Sequence, residues 1–187
     1  MRSALLLSAA ILFAAPCAMA GTVIPLAHFS GVHATDGADV TVRYGATQQV
    51  LLVKGDPHIS RIAVKDGQLE LATCLHWNCP PHYEFKVEVT TPNLATVSAD
   101  DGANIEATGS FPSQDRLSVS ADDGGNIDLR AMTAANVNAK ANDGGNIRLR
   151  ADRNLNASAA DGGNIIYSGN PTLNRRTSDG GNISQGN

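Results

Sequence analysis

The chain has 187 residues, a formal net charge of −4 and only 4% aromatic residues. Its length suits one domain, or one domain with an appendage. The acidic balance argues against non-specific binding to nucleic acid or to anionic lipid. So few rings suit a thin interior of Ile, Leu, Val and Ala better than a broad globular core.

Residues 1–20 read as a cleavable secretory signal. Arg2 supplies the positive start, Ala4 to Ala15 is an apolar run, and Ala18-Met19-Ala20 is an A-x-A cleavage site. The run is too short for a comfortable membrane span. Cys17 offers a competing lipidation reading, with Pro16 standing where a small residue is wanted just before it. No later stretch is apolar enough to cross a bilayer. A mature protein beginning at Gly21 is therefore expected in the periplasm or at the cell surface, without stable membrane insertion.

Residues 21–92 read as N-terminal strands contiguous with the repeats that follow. Val32 and Ala34 precede the phrase Asp36-Gly37-Ala38-Asp39-Val40, and Val42 and Tyr44 follow it, apolar at every second position. Further strands are expected at Val50 to Val53, Ile59 to Val64, Leu69 to Leu71 and Phe85 to Val89, with Gly55-Asp56-Pro57 and Asp66-Gly67 as turns. No stretch has helical periodicity.

Two cysteines follow the signal segment, Cys74 and Cys79. In an oxidising export compartment so close a pair is most simply a disulfide closing a small loop. The alternative is zinc, since Cys74, His76, Cys79 and His82 form a C-x-H-x2-C-x2-H cluster of soft ligands. Tight spacing, the stiff Pro80-Pro81 pair and export all weigh against metal. Trp77 is the only tryptophan. With His76, His82 and Tyr83 it reads as an aromatic contact patch for a partner; the alternative has Trp77 plugging an open end of the fold.

Residues 93–187 repeat one phrase, Asp-Gly-Gly-Asn-Ile. It stands at Asp101 to Ile105 (with Ala103), Asp123 to Ile127, Asp143 to Ile147, Asp161 to Ile165 and Asp179 to Ile183. Successive isoleucines are 22, 20, 18 and 18 residues apart. Self-similarity at such a period signals stacked units, each unable to bury its apolar face alone. Around each copy the pattern alternates: Leu117, Val119 and Ala121 lead to Ile127 and Leu129, then Val137, Ala139 and Ala141 lead to Ile147 and Leu149. These are half-buried strands.

The expected fold is all-β: a single-stranded, right-handed parallel β-helix with rungs of 18–22 residues. The alternative is an antiparallel β-meander or sandwich, because Asp-Gly is also a strong hairpin signal. Matching corners favour stacking, since a hairpin does not require successive turns to match. In that fold Asn104, Asn126, Asn146, Asn164 and Asn182 form an amide ladder, and Gly-Gly supplies positive φ at the corners. Arg175, Arg176 and Thr177 replace apolar strand residues of earlier copies and read as a polar cap.

The stretches Phe29-Ser30-Gly31-Val32, Asp39-Val40-Thr41-Val42, Val50-Leu51-Leu52-Val53-Lys54-Gly55-Asp56, Gly67-Gln68-Leu69-Glu70-Leu71 and Val87-Glu88-Val89-Thr90-Thr91-Pro92-Asn93-Leu94 together resemble the head GIN domain family. The resemblance runs from about Leu26 to Ile183. It implies a bacterial exported single-stranded β-helix named for autotransporter-adhesin heads, with no catalytic residues to carry over. The cysteine loop and the unusually regular corners depart from the family pattern.

The repeated Asp101, Asp123, Asp143, Asp161 and Asp179, with Asp100 and Asp122 beside two of them, are first of all turn formers. A calcium ladder is the competing reading. Arg130, Arg148 and Arg150 near Asp128 and Asp152 make an acidic-basic surface, which on the wet face of strands is usually solvated pairing rather than catalysis. His28, His33, His58, His76 and His82 all precede the repeats. Spacing supports no Ser-His-Asp or Cys-His arrangement, and no phosphate loop or strand-helix nucleotide context is present.

The function read from these residues is a non-enzymatic binding or adhesion-like module of the bacterial envelope. It needs no cofactor, and its partner is an envelope protein or a glycan. A carbohydrate-active or glycan-binding protein using an acidic face is the second reading, and a calcium-stabilised spacer the third.

Overall fold

The computed structural model describes residues 21–74 and 79–186. Residues 1–20, read above as a secretory signal and including Cys17, and likewise His76 and Trp77, lie outside the described residues.

All regular structure there is β, in fifteen strands that join one sheet of mixed pairing. Two parallel ladders dominate. The first contains β3 (Asp39–Tyr44), β7 (Lys86–Thr91), β9 (Asn104–Thr108), β13 (Asn164–Ser168) and β15 (Asn182–Gln185). The second contains β2 (Gly31–Thr35), β6 (Gln68–Cys74), β8 (Thr96–Ala99), β10 (Gln114–Ala121) and β14 (Thr172–Thr177). The long strands β11 (Asn126–Ala141) and β12 (Asn146–Ala159) belong to both.

β11 shows how one strand serves two ladders. Its start pairs with β9, Asn126 beside Asn104 and Ile127 beside Ile105. Its end pairs with β10, Val137 beside Leu117 and Ala141 beside Ala121. Against β12 the register breaks between Asp128 and Thr133 and again before Asn136. That break carries the chain from one ladder to the other.

The copies of the repeat lie side by side and in parallel. Asn146 pairs with Asn126 and with Asn164, Ile147 with Ile127 and Ile165, and Ile165 with Ile183. The matching isoleucines form one column in the core: Ile105, Ile127, Ile147, Ile165 and Ile183 are between 0% and 6% exposed. Burying each contributes about 1.5–3 kcal/mol relative to exposure. Strand alternation is the cause, since residues on either side of each buried one face outward.

Chain order and pairing order differ at the N-terminal end. β2 lies between β6 and β8, and β3 between β7 and β9. The chain therefore passes outward first and then returns to the other side of its opening strands. The outermost positions are taken by antiparallel strands: β4 (Gln49–Lys54) on β7, β5 (Ser60–Lys65) on β6, and β1 (Thr22–Ile24) on β4. At the opposite end Arg175, Arg176 and Thr177 lie beside Ala157, Ser158 and Ala159 and are exposed.

Candidate partner-binding face

The corners position everything outside the core. In each, the residue before Asp accepts a hydrogen bond from the residue after the first glycine: Gly125 N to Asp122 O at 2.8 Å, Gly145 N to Asn142 O and Gly163 N to Ala160 O at 2.7 Å. The two central residues both take positive φ, 45° at Asp123 and 73° at Gly124. That sign pattern is the type I′ turn. Asp tolerates it better than most side chains. Asp66 and Gly67, between the antiparallel β5 and β6, use the same conformation.

Corners also bond one another. Gly124 N donates to Asp143 O at 3.0 Å, Gly144 N to Asp161 O at 3.0 Å and Gly162 N to Asp179 O at 3.1 Å. The second glycine of the phrase has a different role from the positive φ expected of it. A Cβ on Gly125 would sit 2.0 Å from Ala99 O, and one on Gly163 would sit 2.2 Å from Ala141 O. Close approach of the neighbouring repeat's backbone requires glycine there, while the turn itself requires only the first.

Asp123 lies in the middle of the corner row. Partial desolvation, then the charges of Asp143 and Asp101 and more weakly Asp122 and Asp100, push the Asp123 carboxyl above its ordinary value. Ser120 Oγ donates to Asp122 Oδ2 at 3.0 Å, and Thr35 Oγ1 to Asp101 Oδ2 at 3.0 Å.

The amide ladder expected at the corners forms at one step. Asn182 Nδ2 donates to Asn164 Oδ1 at 2.8 Å. Asn126 and Asn146 instead bond their own turns, Gly124 O and Gly144 O, both at 2.9 Å. Asn104 reaches Asp39 Oδ1 at 3.1 Å and, more weakly, Gly102 O. The carbonyl two residues back is already within reach, so the amide need not cross to the next repeat.

Continuous amide columns stand on the second ladder, where sequence reasoning did not place them. Asn154 Nδ2 donates to Asn136 Oδ1 at 2.8 Å, and Asn136 in turn donates to Asp115 O at 3.1 Å. Beside it Asn156 donates to Asn138 at 3.0 Å and Asn174 to Asn156 at 3.4 Å. The signal was present: Asn136-x-Asn138 recurs 18 residues later as Asn154-x-Asn156. Ser118, Ser120, Lys140, Ser158 and Arg176 complete this wet face. Two shallow depressions of about 480 and 630 Å³ lie over it.

The opposite ladder carries paired charges. Arg130 Nε donates to Asp128 Oδ1 at 2.9 Å, and Arg150 lies 3.8 Å from Asp152. Burial alone would raise the Asp128 carboxyl, but hydrogen bonds and charge from Arg130, with Arg148 beyond, outweigh it and hold it below the usual carboxylate range.

A family model described as "Putative auto-transporter adhesin, head GIN domain" matches residues 28–147 and 113–171, well over half of the chain. The chain belongs to the head GIN domain family. Among solved structures it is similar to a Bacteroides fragilis protein described as a "putative adhesin", at 15% identity and TM-score 0.56, covering 88% of this chain and 94% of that one. A Parabacteroides merdae "putative adhesin" shares 15% identity at TM-score 0.45, with 90% and 96% covered. A Parabacteroides distasonis protein described as a "putative lipid binding protein" shares 14% at TM-score 0.46, with 89% and 96% covered. At such identities the likeness concerns the fold alone. No curated protein matches significantly.

Within this head GIN chain, Cys74 and Cys79 form a disulfide, with Cα atoms 5.9 Å apart. Both sulfurs are thereby engaged, and the thiolates that the zinc reading of Cys74, His76, Cys79 and His82 requires are gone from this state. Tyr83, expected as a partner contact, has its hydroxyl engaged within the chain: it lies 2.8 Å from Ser60 Oγ and accepts from Asp56 N at 2.6 Å. It ties the cysteine loop to the turn after β4. His82 is exposed, at φ 58°.

One cluster of titratable groups went unnoticed in the sequence. His33 Nε2 lies 2.8 Å from Asp100 Oδ2, and its Nδ1 lies 3.8 Å from Glu70 Oε1, which belongs to a carboxylate 3.9 Å from Arg61. Four segments, β2, β5, β6 and the residue just after β8, bring these groups together, so local spacing did not reveal them.

Proposed function

We propose that this head GIN chain is an exported, non-enzymatic binding or adhesion-like module of the bacterial envelope. In this reading it is a single-stranded right-handed β-solenoid with rungs of 18–22 residues, in which 21–92 and 93–187 form one continuous body. The in-register parallel pairing of successive copies supports the solenoid over a meander, because up-and-down strands would set neighbouring Asn-Ile pairs antiparallel. The family supports export and adhesion. Among the described residues no helix is long and apolar enough to cross a membrane.

The observation that carries the reading is the pair of amide columns, Asn136–Asn154 and Asn138–Asn156–Asn174, each linked from rung to rung. Amides already held by their neighbours lose little entropy when a partner docks. A face built on paired strands offers them at a fixed spacing, as solenoids do for extended partners. The paired state of Asp128 and Asp152 speaks against an acid-base couple on the other face.

Co-sedimentation of the protein with isolated envelopes tests this. Asn138→Ala/Asn156→Ala is expected to abolish sedimentation with the melting temperature maintained. Sedimentation equal to that of the parent protein removes the amide face from the interface.

A calcium-stabilised spacer, the third reading of the sequence, would draw on the Asp101–Asp123–Asp143 row, where like charge adds to desolvation in raising Asp123, but among the described residues no group of three His, Cys, Asp or Glu side chains is placed to hold a metal ion.

A further inference from the structure

We infer that the amide face binds an extended acidic glycan, one carrying uronate carboxylates, laid along the stack across the strands. This rests on the binding-module reading above and names the chemistry of its ligand.

The amides define the polar half of the argument. Asn156 donates one N–H to Asn138 and accepts from Asn174, which leaves this exposed amide a second N–H and a further lone pair. A donor beside an acceptor, repeated on successive rungs and flanked by serine hydroxyls, is the complement of vicinal sugar hydroxyls. The spacing between adjacent strands, about 4.8 Å, is of the order of one sugar residue in an extended chain.

The charges define the other half. Lys140, Ser158 and Arg176 are register partners on three successive strands, so the two cations share one column. They stand two strand spacings apart, about 10 Å, comparable to the repeat of an extended disaccharide. Among the described residues no ion pair within 4.0 Å includes Lys140, Arg175 or Arg176. The chain as a whole is acidic, with a net charge of −4. Uncommitted cations gathered over an amide face in such a chain are complementary to an anion, and carboxylates pair with them through charge-assisted hydrogen bonds.

Two features narrow the ligand. None of the residues lining the two depressions is aromatic, so the face has no platform for stacking nucleobases or the apolar faces of neutral sugars. The corner aspartates Asp143, Asp161 and Asp179, each three residues beyond a member of the Lys140–Ser158–Arg176 column, flank it. Their like charge confines an acidic chain to the amide strip.

Isothermal titration of the protein with oligogalacturonate, and with the same oligomer after reduction of its carboxyls to alcohols, tests the inference. Oligogalacturonate should bind, the reduced oligomer about tenfold or more weakly, and added salt should narrow the gap. Lys140→Gln/Arg176→Gln should lose most of the binding at an unchanged melting temperature, since both side chains are exposed. Equal affinity for the reduced oligomer, full binding by the double variant, or equal binding of polyphosphate would each overturn the inference. So would failure of oligogalacturonate, oligoglucuronate and oligomannuronate alike to bind. If those fail while Asn138→Ala/Asn156→Ala still abolishes envelope sedimentation, the binding reading stands and only the ligand class is wrong. Failure of both experiments removes both.

Discussion

Gly145 lies against the Ala121 carbonyl of the preceding repeat so closely that a Cβ added to it would be 2.1 Å from that oxygen. Gly144, its neighbour, has open space around the same point but φ of +75°. The two glycines thus meet different demands, one from packing between repeats and one from the turn. Gly145→Ala is expected to destabilise by about 1–3 kcal/mol or more through overpacking against backbone. Gly144→Ala should cost about 1–2 kcal/mol, the penalty of a left-handed conformation. Chemical denaturation of both variants checks the order, and a larger loss at Gly144 would contradict it.

The corner carboxylates lead to a pH prediction. A carboxyl raised in the folded state opposes folding when ionised, and this opposition fades as pH falls through the raised value. Asp123→Asn keeps a side chain that tolerates positive φ and removes the charge. Its melting temperature should equal or exceed the parent's at neutral pH, with the difference shrinking as pH falls through the raised value of Asp123. Glu84 has the opposite sign: its hydrogen bond from Lys54 lowers it, so that contribution is present above the usual carboxylate range and fades in acid. Replacing Lys54 by Met should remove it.

Tyr83→Phe tests the anchor of the cysteine loop. Ser60 is 6% exposed and its hydroxyl faces that of Tyr83. Losing the phenol leaves a buried hydroxyl without this partner, at a cost of about 1–3 kcal/mol. Reduction of Cys74–Cys79 should cost roughly 2 kcal/mol by the loop-entropy model. Thermal melts of the variant, with and without reductant, separate the two effects.

Calcium separates the two functional readings. Under the binding reading, chelation leaves the melting temperature where it was. Under the spacer reading, added calcium raises it by mass action, and Asp123→Asn/Asp143→Asn reduces the gain. Calorimetry in chelator and in calcium distinguishes them.

Much of this molecule is legible locally. Ile127, Leu129, Val137, Ala139 and Ala141 alternate with polar residues, and all five are buried. The strands expected at Val50 to Val53 and Phe85 to Val89 correspond to β4 and β7. The near-identity of the corners foretold that copies would meet, and they pair residue for residue. Side-chain period and turn chemistry are short-range properties, which is why reading along the chain recovers them.

Partnership between distant segments was decided by the tertiary structure. Nothing near Val32 shows that β2 is held between β6 and β8, or that His33 lies against Asp100. The corner asparagines were expected to bond across repeats, yet Asn126 and Asn146 turn back to their own loops while Asn138 and Asn156 make the column. Alternation along the sequence selects the face a side chain occupies. Its neighbour on that face depends on register and strand order, which long-range backbone pairing sets.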